Sequence, residues 1–145
     1  MTNNAIKAMK FPEMPPLHGH WHPVIVTPIS HSLEKITVAV VAIDTEGCFL
    51  IKEAISDAQY EQAFTNSGMR NIVNFCLQSL RNWLEAGKPL SEWRTPLTGT
   101  ELGEGRDAAD DNLEGIAIQG LRMSSFFYSL SHTKLADKGH THENA

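Results

Sequence analysis

The segment Lys35–Ile43 places the tightest limit on how this chain folds. In extended backbone, Ile36, Val38, Val40 and Ala42 share one side, and Thr37, Ala39, Val41 and Ile43 share the other. Both sides are apolar. Such a strand has to lie inside a sheet that is covered on both faces. Its neighbours in sequence read as strands too, over Pro23–Ile29 and Cys48–Ile55. Asp44-Thr45-Glu46-Gly47 joins the second and third strands, and a four-residue link ending in glycine suits a type I turn followed by a left-handed residue. His31-Ser32-Leu33-Glu34 is expected to make the first turn.

Helical signals follow. Ser56-Asp57-Ala58-Gln59 has the Ser-x-x-Gln spacing of a capping box, so a short helix is expected over 57–65. Met69, Ile72, Val73, Cys76, Leu80, Trp83 and Leu84 recur at helical spacing and predict a long amphipathic helix over 69–86. Gly87 and Pro89 end it. Residues 88–110, punctuated by Pro96, Gly99, Gly103 and Gly105, read as irregular. Asp111-Asn112-Leu113-Glu114, with Asp111 as cap, opens a last helix over 112–131, along which Ala117, Gly120 and Ser124 form a lane of small residues. The expected class is therefore α+β: a three-stranded antiparallel β-meander packed by two main amphipathic α-helices. With 145 residues, one domain is expected. Residues 1–21 read as an extended Pro/His-rich arm, 22–131 as the single α+β domain, and 132–145 as a polar tail.

Charge and composition narrow the functional classes. Lys plus Arg number 12 and Asp plus Glu 17, a net charge of −5. The segment Glu101–Glu114 accounts for all of it, with Glu101, Glu104, Asp107, Asp110, Asp111 and Glu114 set against Arg106. There is no Lys/Arg stripe of the kind a phosphate backbone requires, so no nucleic-acid partner is expected. No apolar run approaches the roughly 20 residues that span a bilayer, so no membrane association is expected either. Pro12, Pro15 and Pro16 interrupt any leader-like apolar stretch. Cys48 and Cys76 sit in apolar sequence and read as reduced core thiols of a cytoplasmic protein.

The histidines are the compositional oddity. His18, His20 and His22 precede or enter a strand at alternate positions, so their rings share one side. Neutral imidazoles at that spacing chelate transition metals, with a carboxylate such as Asp44 or Glu46 as a further ligand. The plainer reading is a set of exposed histidines, and His140 and His142 repeat the spacing near the end. For Asp44 the plainer reading is a turn residue that bonds its own backbone. Ser124-Ser125 lacks the Gly-x-Ser-x-Gly surroundings of a nucleophile elbow. Gly99–Gly105 is acidic and has no Gly-Lys-Ser/Thr, which argues against a phosphate cradle.

No catalytic signature emerges. The leading expectation is a small accessory or regulatory protein that acts through protein–protein interaction and self-associates as a homodimer. Trp93 and the acidic residues Glu101, Glu104 and Asp107 are the expected partner contacts. No cofactor is expected under this reading. The alternative is a metal-binding protein or metal-dependent enzyme built on His18, His20 and His22.

Overall fold

A computed structural model describes residues 16–28 and 33–132. The expected first turn around His31, most of the arm, His140 and His142 lie outside the described residues. The strands are β1 (Leu17–Val26), β2 (Ile36–Asp44), β3 (Phe49–Glu53), β4 (Thr100–Leu102) and β5 (Arg106–Asp110). The helices are α1 (Asp57–Ala63), α2 (Gly68–Glu85) and α3 (Leu113–Ser124), followed by a helical stretch, α4, over 126–132, and a 3₁₀ turn spans Leu90–Glu92.

All strand pairings are antiparallel, in the order β3-β2-β1-β4, with β5 also paired to β1. The meander is thus present as expected, and the sheet extends beyond it. β4 and β5 run in line along the free side of β1, so β1 is as interior as β2. Residues 17–21, expected in the arm, belong to β1, and the acidic segment expected as a loop supplies most of the β4–β5 edge.

The hairpin between β2 and β3 forms as its residues dictate. Asp44 Oδ1 accepts from the backbone N–H groups of Glu46 and Cys48, each at 2.9 Å, and Gly47 takes φ +90°. Asp44 is a turn residue, and its carboxylate is engaged by its own loop. Cys48 is exposed at this turn rather than buried, whereas Cys76 is buried in α2, where burial raises its thiol pKa.

Directly paired residues share a face of the sheet, so the registers sort the side chains. Trp21, Ala42 and Leu50 fall on one face. α3 lies against it, with Ile116, Ala117, Gly120 and Leu121 buried. The expected small-residue lane is consumed inside the fold: a Cβ at Gly120 would stand 2.7 Å from Cδ2 of the Trp21 indole. Lys52 Nζ reaches Glu114 at 3.3 Å on the same side. α2 lies on the opposite face. Its Arg70 binds Glu53 of β3 at 2.6 Å, and Cys76 interacts with Thr100 of β4. Val38 to Ala42 are fully buried, as a strand covered on both faces requires.

The helices depart from expectation in detail. α1 carries the capping box, Ser56 Oγ accepting from the Gln59 N–H and the Gln59 side chain from the Ser56 N–H. α2 matches its forecast range closely and buries Leu77, which widens the apolar stripe as expected, but it exposes Ile72 and Phe75. Asn112, not Asp111, caps α3 by accepting from the Gly115 N–H at 2.8 Å. The last helix is interrupted at Ser125, whose backbone is extended.

Replacing Gly120 by Ala forces the added methyl into the Trp21 ring. Overpacking of this kind costs about 1–3 kcal/mol. Denaturant unfolding followed by Trp fluorescence should show a lower midpoint with an unchanged slope.

Candidate functional site

The site starts from a proline inside the sheet. Odd-numbered residues of β1 turn their backbone groups toward β4, since the Thr27 N–H donates to the Gly99 carbonyl at 2.8 Å and the Gly103 N–H donates to the Pro23 carbonyl at 2.8 Å. Pro23 has no N–H to return to Gly103. His22 Nδ1 takes that place and donates to the Gly103 carbonyl at 2.9 Å. A carbonyl accepts only, so the neutral His22 ring carries its proton on Nδ1.

The edge strand bends at the same point. The register of β1 with β4 differs from that with β5 by one residue, so Gly103-Glu104-Gly105 faces only His22 and Pro23, a β-bulge. The His22 ring fills the space beside Gly105: a Cβ there would meet its Cε1 and Nε2 at 2.6 Å. Burial depresses the His22 pKa below 6.5, the Gly103 backbone bond opposes this, and the neighbouring His20 adds to the depression.

On the α2 face, away from Arg70, one cross-strand row runs Asp107, His20, Ile43, Phe49. Beside it runs His22, Val41, Ile51. His18 and Asp107 are exposed, and His20, His22, Ile43, Phe49 and Ile51 are partly exposed. The His20 and His22 rings meet edge-on, 5.2 Å between centroids. This patch is amphipathic, with an aromatic and aliphatic side toward β3 and a histidine and carboxylate side toward β5.

The three strand histidines share one face, as their spacing requires. Among the described residues, however, no group of three or more His, Cys, Asp or Glu is placed to hold a metal ion. His22 also commits its Nδ1 to the backbone. Trp93 lies in the core at 4% exposure, and its indole N–H donates to Ser79 Oγ at 3.3 Å. Glu101 pairs with Lys35 at 2.8 Å. It lies level with Ile25, on the α3 face. Glu104 is exposed in the bulge. Asp107 alone of these joins the patch, opposite His20.

A second polar cluster escaped sequence reasoning. Arg70 contacts Glu53, reaches Asp57 at 2.9 Å and lies over the Tyr60 ring, 4.8 Å from its centroid. Burial pushes the Tyr60 hydroxyl pKa up to about 12 despite Arg70. The hydroxyl therefore stays neutral, and the guanidinium is already matched by two carboxylates. This cluster ties α1 and α2 to β3. Its only trace in the sequence is an arginine in the first turn of a helix, where the macrodipole disfavours positive charge.

No protein-family model, no curated protein and no solved structure matches this chain. Among the described residues no helix is long and apolar enough to cross a membrane.

Replacing His22 by Ala leaves the Gly103 carbonyl without a donor, which costs about 1–3 kcal/mol. Asn carries a donor near the Nδ1 position and should recover part of the loss. The pH response has a definite sign. The unfolded chain binds the His22 proton more readily than the folded one, so this stabilisation is complete above 6.5 and is lost as pH falls through the window below it. Urea midpoints should fall on acidification from neutral, and less steeply for His22→Asn.

Proposed function

We propose that the protein is a small accessory or regulatory module of the cytoplasm that works by binding another protein and by associating with itself. The observation that carries this reading is the row Asp107, His20, Ile43, Phe49, left partly open on a sheet whose other face is occupied by α3. An apolar centre with a polar rim is the anatomy of a docking surface. Ile43, Phe49 and Ile51 supply the centre, and His18, His20 and Asp107 the rim, with Glu104 beside it in the bulge. The rim's carboxylates favour a partner with basic groups. They steer encounter and fix register more than they add affinity.

The test compares two surface variants. Asp107→Arg reverses a rim charge, and Met123→Ser alters an exposed residue of α3, on the other side of the sheet. A partner recovered with the wild-type chain should bind Asp107→Arg roughly tenfold more weakly. It should bind Met123→Ser normally, with the melting of both variants near wild type. Retention by Asp107→Arg with loss by Met123→Ser would move the surface elsewhere. Absence of any partner would remove the reading.

A further inference from the structure

We infer that two copies of this chain join through the free edge of β3, antiparallel and centred on Ile51; this rests on the self-association in the preceding reading and gives it a geometry. β3 is the terminal strand of the sheet, paired with β2 alone among the described strands. Its hydrogen-bonding pattern can be read directly. The Cys48 carbonyl accepts from Asp44 N–H, and the Ala54 N–H donates to Val38. Even-numbered positions therefore face β2. By alternation, Phe49, Ile51 and Glu53 point their N–H and C=O groups outward.

The two edges of the sheet differ in kind. The β4–β5 edge is interrupted by the Gly103-Glu104-Gly105 bulge and carries Glu101, Arg106 and Asp107, which are devices that discourage pairing. β3 has no bulge and no proline. Its three leading residues, Phe49, Leu50 and Ile51, are apolar and partly exposed. Its charges are drawn inward, Lys52 to Glu114 and Glu53 to Arg70.

A second copy fits this edge under a two-fold axis normal to the sheet. That symmetry keeps each face on its own side, so opposed residues must share a face, and the strands are necessarily antiparallel. Centring on Ile51 lets every outward N–H meet a partner carbonyl: Ile51 with Ile51, and Phe49 with Glu53 in both directions. Leu50 then faces Lys52, so no like charges stand directly opposed. Shifting the centre to Lys52 would oppose two lysines, and shifting it to Leu50 would leave Glu53 unpaired with the mate's strand. A groove of about 480 Å³ along this edge, bounded by Leu50, Lys52, Leu113 and Glu114, leaves room for the added side chains.

The experiment uses the whole wild-type chain. Sedimentation velocity and residue-resolved amide exchange are followed over a wide concentration series. A concentration-dependent dimer is expected, with the Phe49, Ile51 and Glu53 amides slowing as it forms and the Leu50 and Lys52 amides slow throughout. Ile51→Cys in a Cys48→Ser background should cross-link as a symmetric dimer under mild oxidation, since the opposed Cα atoms would stand about 5.5 Å apart. A dimer whose outward amides stay fast overturns the edge but leaves self-association standing. A monomer at all concentrations overturns both. A monomer with those amides already slow also overturns the inference, because another segment of the same chain would then occupy the edge. Phe49 and Ile51 also belong to the apolar centre of the proposed partner surface, so the Asp107→Arg comparison, made at the opposite edge of the sheet, separates the two readings.

Discussion

The proline at position 23 lacks an N–H at a point where its strand is paired on both sides. A partly buried carbonyl left without a donor costs up to about 1–3 kcal/mol, more than a typical exposed ion pair contributes. The fold meets this demand locally. His22, the residue before the proline, turns its Nδ1 to the orphaned Gly103 carbonyl, and the opposite strand bulges to make room. The direction of the His22 ring, the course of the β4–β5 edge and the position of Asp107 all follow from it. What looks in sequence like a chelating histidine is, in the folded chain, first a substitute for a missing backbone donor.

The two faces of the sheet are closed by different means. α3 approaches β1 and β2 closely because Ala117 and Gly120 carry little or no side chain, and Trp21 occupies the space they leave. α2 closes its half of the other face with larger side chains, Val73, Cys76, Leu77 and Leu80, and is pinned at its start by Arg70. One face is thus sealed by close backbone approach and the other by side-chain bulk over part of its area. The uncovered remainder is where the histidine row lies.

Much of this was legible in the residues. The two-sided apolar pattern of Ile36–Ile43 required an interior strand, the Asp44–Gly47 turn required a tight hairpin, and Ser56 with Gln59 marked a helix start. β4 and β5 were not legible. Arg-Asp-Ala-Ala-Asp has none of the β-branched or aromatic residues that mark strands, and it is held in the sheet by β1 rather than by local preference. β1 begins earlier than its residues suggest, because Pro23 reads as a strand start and the Pro/His-rich residues before it as an arm. Trp93 reads as an anchor in an irregular segment, yet burial in the core and a bond to Ser79 decide its place. The shared face of the three histidines came from parity alone. Asp107 opposite His20 required the register, which no single strand contains.

The bulge at Gly103–Gly105 also acts as a reading frame for side chains. Before it, odd-numbered residues such as Glu101 lie on the α3 face; after it, odd-numbered residues such as Asp107 lie on the α2 face. A substitution in these three residues changes one side chain. A deletion of one of them would remove the extra residue and leave a regular strand, with Arg106 still opposite Trp21 and Asp107 still opposite His20. Asp107 is therefore held opposite His20 by its pairing with β1 and not by the number of residues in the bulge, which can be shortened by one without moving the carboxylate from the patch.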